Sequence, residues 1–570
     1  MTVHGVEADE THLSESVAPQ PTTPADHQLD ALVRERFDAM MQRYPAFATY
    51  LGLDEYDDRL ADGSREAMLA EIDSARAFAT AVEAIDQSEL SPYHAIEREL
   101  ALFATRRQIF DDDVHRVWER RVNATDEIAD GIFLTFARGM RPLGDRLEAI
   151  GSRLEAAPRH IEEQKTRFDG PRPIRLWNEM ELESTSSVTS LFDEVVAAAR
   201  EHLGTDHAEV KRLEKASTVA AQALEEYAGW LREQLGRSND DFALGTERYD
   251  QLIGLRAFDG LDSDQILAIG EEQLVINTEA RQRVARQIDP GATDRQVVDR
   301  VKSDHPSDFP GALESYRGAM DQARRFIVDH GIASLPAGES LSVIETPEYL
   351  RNVMPFAAYF PPPKFGAGEG RKGLYVVTRS VGNDPGAMRE HNYASIFNTS
   401  IHEAYPGHHQ QLAAAITHPS LVRLLVDAPE FVEGWAMYCE QMMREEGFDT
   451  TPEHRLMMYT DTIWRACRII LDIKLHRGDI SIADAVDFMV DRSGLERPNA
   501  AAEVNRYTYT PTYQLSYLLG KVLLLRLRDD EKHRLGDRFS LRAFHDAMLR
   551  EGSLPISFHR RLLAAGNVAR

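Results

Sequence analysis

Apolar residues recur every three or four positions from Leu29 to about Ile327, in runs rich in Ala, Leu, Glu, Arg and Gln. This period is typical of amphipathic α-helices, and clusters of Pro and Gly separate the runs. The clearest predicted helices are Arg65–Ile85, Val188–Gly204 and Asp206–Leu235. We therefore expect residues 29–330 to form an N-terminal helical lobe.

The pattern changes near residue 340. Leu341–Glu345 alternates between apolar and polar residues, and Leu374–Thr378, which follows a loop rich in Pro and Gly, is β-branched and aromatic. Both segments predict short strands. Helical periodicity resumes at about Asn392 and continues to the C-terminus. We expect a mainly α fold of two lobes, with a second helical lobe over residues 331–570 that carries short edge strands.

Charge and composition narrow the function. The 570 residues include 65 basic and 93 acidic ones, a net charge of −28, which argues against nucleic acid and anionic lipid surfaces as partners. The apolar runs are too short to span a membrane. Residues 1–28 are polar and lack the features of a signal peptide, so we expect a disordered leader on a cytoplasmic protein. Cys439 and Cys467 lie in apolar helical segments, which predicts buried free thiols.

One short segment carries candidate chemistry, because His402-Glu403 is followed by Pro406-Gly407 and then by His408 and His409. In the zinc motif H-E-x-x-H, two histidines four residues apart share one helix face, and the glutamate acts on water. Here the spacing is six or seven, which a straight helix would not bring together. Because proline and glycine can break the helix, either later histidine could return beside His402. We favour His408 as the second ligand and keep His409 as the alternative.

A third ligand is expected from a nearby helix, since a catalytic zinc site has three protein ligands. Glu433 lies among apolar residues 25 positions after His408 and is the best source. Glu440 falls on the same helix face and could accept the second imidazole N–H of a ligand histidine.

Tyrosines are concentrated between Glu503 and Lys521, and their hydroxyls could donate to the oxyanion of an acyl-transfer reaction. For Tyr507 and Tyr517 this role and simple packing are equally good interpretations, whereas for Tyr509 and Tyr513 we favour packing. Upstream, Arg468, Asp472 and His476 share one helix face, as an ion-pair ladder or as a wall of the same cleft.

Several segments, in the same order, resemble the bacterial "domain of unknown function 885" family, a branch of the gluzincin metallopeptidases with an HExxPGHH motif. The matching segments are Arg43–Gly52, His402–His409, Glu433–Tyr438, Arg468–His476 and Arg506–Gly520. One departure is Thr512, where a glycine is expected after the proline, which leaves the geometry of that turn in question.

The resemblance implies a helical cradle similar to oligopeptidases and angiotensin-converting enzyme, with the metal and a small β-sheet at a deep cleft. In such folds an edge strand pairs with extended substrate, and Leu374, Tyr375, Val376 and Val377 form the matching segment.

From the motif and the resemblance together, we expect a zinc-dependent metallopeptidase that cleaves short peptides. One Zn²⁺ per chain would be held by His402, His408 and Glu433, with Glu403 as the general base. Tyr507, Tyr517 or His409 would stabilise the oxyanion. The alternatives are an amidase or esterase that acts on a small acyl compound, and a peptide-binding relative without catalysis.

Overall fold

The computed structural model describes residues 12–13, 16, 18–137, 141–346, 357–365, 371–379 and 387–566. Within these ranges the protein is mainly α-helical, with a few short strands, as the periodicity predicts. The helices before residue 330 are α1 Pro24–Arg43, α2 Pro45–Leu51, α3 Arg65–Glu83, α4 Pro92–Ile109, α5 Ala124–Ala137, α6 Leu143–Lys165, α7 Arg175–Ser187, α8 Thr189–Leu203, α9 Ala208–Leu235, α10 Thr246–Arg256, α11 Ser263–Ile288, α12 Asp294–Lys302 and α13 Phe309–Asp329.

The strands and the remaining helices follow the same chain order. The strands are β1 His12–Leu13, β2 Leu335–Pro336, β3 Glu339–Glu345, β4 Ala357–Phe360 and β5 Arg371–Val377. The later helices are α14 Tyr393–Glu403, α15 His408–Ala415, α16 Val422–Leu425, α17 Pro429–Glu445, α18 Pro452–Arg477, α19 Ile482–Ser493, α20 Arg497–Tyr507, α21 Ser516–Leu535, α22 Leu541–Glu551 and α23 Ile556–Ala564.

The clearest predicted elements are confirmed, and their ends move by a few residues. The three predicted helices correspond to α3, α8 and α9, and the two predicted strands lie within β3 and β5. Asn392 is the N-cap of α14, so the helices resume where the pattern predicts. Cys439 and Cys467 are buried free thiols, as expected.

The leader ends earlier than the expected boundary at residue 28. Helix α1 begins at Pro24 because the Thr23 side chain accepts a hydrogen bond from the amide of Asp26. The Asp26 side chain in turn accepts from the amide of Thr23, which completes a capping box. Further upstream, β1 pairs in parallel with β2. The rest of the expected leader, residues 1–11, 14, 15 and 17, lies outside the described residues.

The buried apolar side chains form two large cores that do not follow the predicted lobes. One core comprises buried residues between positions 122 and 231, together with Leu60, and holds α5, α6, α8 and α9 together. The other joins α1, α3, α4, α10 and α13 to helices α17 and α21. Residues on both sides of position 330 therefore share one core, and the compositional change there does not separate two independently packed units.

The small sheet corrects one prediction. Its strand order is β3-β5-β4, with β5 parallel to β3 and antiparallel to β4. Leu374, Tyr375, Val376 and Val377 are therefore paired on both sides. The interpretation of this segment as an edge strand that pairs with substrate is wrong, because its backbone hydrogen-bonding groups already belong to the sheet.

Candidate metal centre

A break between α14 and α15 brings two histidines together. Helix α14 ends at Glu403, the Tyr405-Pro406 peptide bond is cis, and the amide of Gly407 donates to the carbonyl oxygen of Ile401 at 3.1 Å. A Cβ atom at Gly407 would lie 1.9 Å from the carbonyl oxygen of His402, so no other residue fits this return. The His402 and His408 rings meet edge to face, with their centroids 4.8 Å apart.

Helix α17 places Glu433 against this histidine pair. Its Oε2 lies 3.4 Å from Nε2 of His408 and 3.8 Å from Nε2 of His402. One ligand atom from each of the three side chains lies within 4.8 Å of the others. Zinc ligands at about 2.0–2.2 Å from the metal stand roughly 3.3–3.6 Å apart at the corners of a tetrahedron, so small side-chain adjustments would complete such a site.

Glu440 orients the first histidine. Its Oε1 lies 2.8 Å from Nδ1 of His402, so an Nδ1–H donated to this carboxylate leaves Nε2, which faces Glu433, as the atom that could bind a metal. Burial opposes a charge on His402, but hydrogen bonds to Glu433 and Glu440 raise its pKa to about 10. This centre therefore concentrates negative charge that favours a cation.

The position of Glu433 depends on a close approach of α17 and α21. A Cβ atom on Gly520 would lie 2.0 Å from the carbonyl oxygen of Glu430 and 2.8 Å from the Cα atom of Gly434. Two glycines thus face each other where the helices cross. The residue next to this crossing is Glu433, so the approach sets how far its carboxylate extends toward the histidines.

His409 is directed away from the three converging side chains. It is fully buried, with Nε2 2.8 Å from Oε2 of Glu339 and Nδ1 2.9 Å from the hydroxyl of Tyr359. Tyr405 also donates to Glu339. Of the two histidines that the sequence left open as the second ligand, His408 is therefore the one beside His402, while His409 ties α15 to the sheet.

Glu403 stands at the end of α14, directly after His402, and is half-buried. Among the described residues, none hydrogen-bonds its carboxylate. Burial raises the pKa of Tyr316 above its ordinary range, and the negative charge of Glu403 raises it further. The carboxylate of Glu403 therefore lies near Tyr316. A half-buried carboxylate without a bonding partner is well suited to accept a proton.

The contacts of the tyrosines do not match the division into catalytic and packing roles that the sequence predicted. Tyr513, assigned there to packing, donates its hydroxyl to Oε1 of Glu433 at 3.3 Å, and the Tyr517 ring lies beside it at 6.1 Å between centroids. Tyr507 is fully buried and donates to Glu503 at 2.6 Å. Helical periodicity gave no indication of this contact, because Tyr513 lies in a 3₁₀ turn before α21 begins at Ser516.

Asp472 holds the turn that carries Tyr513. This fully buried carboxylate accepts from the amide of Thr512 at 2.8 Å, the side chain of Gln514 at 3.0 Å and the hydroxyl of Tyr249 at 2.6 Å. Thr512 adopts a left-handed conformation, φ 68°, at the position where a glycine was expected. His476, one helix turn after Asp472, bonds the carbonyl oxygen of Tyr507 at 2.9 Å. Asp472 and His476, which share one face of α18, therefore support the segment that carries the tyrosines.

A cavity of about 740 Å³ is lined by Tyr513 but by none of the three candidate ligands. Its volume lies within the ~300–1,000 Å³ range of ligand pockets. The N-terminal segment supplies one wall through Tyr44, Pro45 and Phe47, and Tyr509 closes the wall near Tyr513. The first and last segments named from the sequence thus meet around one cavity.

Comparison with known proteins identifies the family. The model of the family described as "Bacterial protein of unknown function (DUF885)" matches residues 45–563. The chain belongs to this family. Its DUF885 segment contains every residue of the candidate metal centre and most of the cavity wall. No curated protein matches the chain.

Two solved structures share the fold of this DUF885 protein. A "putative lipoprotein of unknown function" from Shewanella oneidensis is 23% identical, with a TM-score of 0.76, and the alignment covers 94% of this chain and 99% of that one. A "putative lipoprotein" from Colwellia psychrerythraea is 18% identical, with a TM-score of 0.75 and coverage of 95% and 99%.

Each neighbour is thus described as a "putative lipoprotein". This finding overturns the cytoplasmic location that we expected from the polar leader. Across the described ranges, none of the helices has the length and apolar character needed to cross a bilayer.

Proposed function

We propose that the protein is a zinc-dependent metallopeptidase that cleaves short peptides. The observation that carries this proposal is the convergence of His402, His408 and Glu433, with Glu440 bonded to the far nitrogen of His402. Two imidazoles and a carboxylate are a ligand set of catalytic zinc sites, and a carboxylate behind a ligand histidine is the usual support.

The residues around the centre supply the remaining chemistry. When bound, zinc would act as a Lewis acid on a water molecule and on the scissile carbonyl. Glu403 would take the proton of the attacking water and pass it to the leaving amine. Tyr513 and Tyr517 would donate hydrogen bonds to the oxyanion, because Tyr513 already reaches the carboxylate of Glu433. Tyr507 is not assigned that role, since its hydroxyl bonds Glu503, which is not one of the three candidate ligands.

The cavity supports short peptides as the substrate class. Its aromatic and polar walls offer space for a few residues of an extended chain, with one end at Tyr513. This arrangement is consistent with a helical cradle of the oligopeptidase and angiotensin-converting-enzyme type, which would admit short or unfolded chains. Because both solved neighbours are described as lipoproteins, we place the reaction outside the cytoplasm.

Metal analysis combined with a peptide-library digest tests the proposal. We expect about one zinc per chain in wild type and in Glu403→Gln, and a loss of cleavage of roughly 10²–10⁴-fold in the variant. Glu446→Gln, an exposed residue at the end of α17, is the matched control and should cleave like wild type.

Equal cleavage by wild type and Glu403→Gln would refute the role of Glu403. Protein that takes up no zinc would refute the metal centre. A panel of simple amides and esters, digested in parallel, would reveal hydrolysis of a small acyl compound instead of peptides.

A further inference from the structure

Four carboxylates line the cavity beyond Tyr513, and two of them, Asp112 and Asp130, come from different helical segments and have no cationic partner among the described residues. Asp112 belongs to a π-helical turn, Phe110–His115, and Asp130 belongs to α5. We propose that these carboxylates bind a cationic group of the peptide substrate, either its terminal ammonium or a lysine or arginine side chain. This inference rests on the proposed function, which is what brings a peptide into the cavity. It specifies which peptides are preferred.

Most of the other charged residues of the cavity wall are already paired with an opposite charge. Each arginine of the wall bonds an acceptor of the protein itself. Arg59 pairs with Asp58, Arg107 with Asp111, Arg121 with Asp126, and Arg167 with Glu127. Arg167 also donates to the carbonyl oxygen of Gly63, and Arg43 donates to the carbonyl oxygen of Asp62. In contrast, no cationic side chain among the described residues lies within ion-pair distance of Asp112 or Asp130. Arg43 bonds no carboxylate among the described residues and keeps one positive charge at the wall. The two unpaired carboxylates outnumber this one guanidinium, so the charge left for a ligand is negative.

The π-helical turn separates Asp112 from its neighbours. Asp111 pairs with Arg107 at 2.7 Å, and Asp113 pairs with Arg76 and with Arg116. Of three consecutive aspartates, only the middle one lines the cavity without a cation. Insertions of this kind in a helix occur often at functional sites, because they redirect one side chain out of the helical ladder.

The environment of Asp112 agrees with a missing cation. Burial, together with the neighbouring charge of Asp111, raises the pKa of Asp112 to about 7. An ammonium or guanidinium group in contact would stabilise the ionised carboxylate and form a charge-assisted hydrogen bond. The neutral side chain of a peptide would gain no such contact.

Binding to the full-length, zinc-loaded Glu403→Gln protein tests the inference without a need for turnover. The probes are a lysine-containing peptide, its norleucine counterpart, and the N-acetylated forms of both, measured by titration calorimetry. We expect roughly tenfold tighter binding of the cationic forms. A preference lost on acetylation identifies the terminal ammonium, and one lost with norleucine identifies the side chain.

Substitutions locate the effect. Asp112→Asn and Asp130→Asn should each reduce the ratio of cationic to neutral affinity several-fold, whereas Asp113→Asn, on the same turn but outside the cavity, should keep the wild-type ratio. Thermal unfolding verifies that each variant is folded, and the two sites provide independent tests. Equal affinity of the Glu403→Gln protein for all four peptides, or an unchanged ratio when Asp112→Asn and Asp130→Asn are each added to it, would overturn the inference.

The proposed function and this inference can fail separately. A wild-type protein that prefers cationic peptides but cleaves none would refute the peptidase and leave the cation site standing. Cleavage without any preference would refute the cation site alone.

Discussion

The indole N–H of Trp435 donates to the carbonyl oxygen of Pro406 at 2.7 Å, and both groups are buried. This bond connects α17, which carries Glu433, to the break that returns His408 beside His402. The relative placement of the candidate ligands therefore depends in part on a side chain that is not itself a ligand.

Replacing Trp435 by phenylalanine should weaken zinc binding. The substitution leaves the Pro406 carbonyl with only a weak partner, the Cys439 thiol at 3.6 Å, and an unsatisfied buried polar group costs about 1–3 kcal/mol. Competition against a chelator of known affinity measures the effect. Trp230→Phe, in the core of residues 122–231, is the control for general loss of stability. Unchanged zinc affinity in Trp435→Phe would contradict the prediction.

Gly520→Ala should destabilise the protein and displace Glu433. The added methyl group would meet backbone atoms of α17 at 2.0 and 2.8 Å, so the two helices must separate. Overpacking of this kind costs about 1–3 kcal/mol. We expect a lower unfolding temperature together with weaker zinc binding.

The control for this substitution is Gly318→Ala in α13, where nothing lies within 4 Å of the new Cβ atom. Alanine there should stabilise the helix by about 0.5–1 kcal/mol. If both variants unfolded at the same temperature, the close approach of α17 and α21 would not be required.

Thr512→Gly should be more stable than Thr512→Ala. Thr512 has φ 68°, and an L-residue in the left-handed region costs roughly 1–2 kcal/mol. Its buried hydroxyl has no hydrogen-bond partner among the described residues. Alanine removes this hydroxyl but keeps the strain, whereas glycine relieves both. Thermal unfolding of the two variants compares them directly, and an alanine variant as stable as the glycine variant would exclude backbone strain at this turn.

Asp26→Asn should destabilise the protein at neutral pH but not in acid. Burial opposes the charge of Asp26, yet bonds from the amide of Ser91 and from Thr22 lower its pKa below the ordinary range. A lowered pKa means that the carboxylate stabilises the fold above about pH 4 and loses this contribution as the pH falls through the folded-state pKa.

Urea unfolding from pH 7 downwards checks this sign. At pH 7 the amide should cost about 1–3 kcal/mol, because it cannot accept all the bonds that the carboxylate accepts. The difference from wild type should narrow below about pH 4. Asp38→Asn, exposed on the same helix, is the control. A difference that stayed constant with pH would show that charge plays no part.

The sequence predicted what depends on local pattern. Helical periodicity located α3, α8 and α9, and the combination of residue types around His402 selected the three side chains that the structure brings together. The choice between His408 and His409 could not be made from spacing. It depends on how the backbone turns back at Gly407, and this turn is set by the close approach of Gly407 to the carbonyl group of His402.

Other features depend on contacts between distant segments. The composition of β5 predicted a strand but not its neighbours, and pairing with both β3 and β4 makes it central. Tyr507 and Tyr513 have the same side chain in similar local sequence, and only the support of the turn by Asp472 brings the second to Glu433. Asp112 and Asp130 are eighteen positions apart, and nothing local indicates that they line one cavity.

The core shared across position 330 has a consequence for dissection of the chain. A fragment that began there would contain the three metal-ligand candidates, but it would expose apolar side chains of α17 and α21 that belong to the same core as α1, α4 and α13. It would also lose the cavity wall formed by Tyr44 and Phe47. The histidine motif is thus not a transplantable module, and shortening or recombining this protein would have to keep its opening helices with its closing ones.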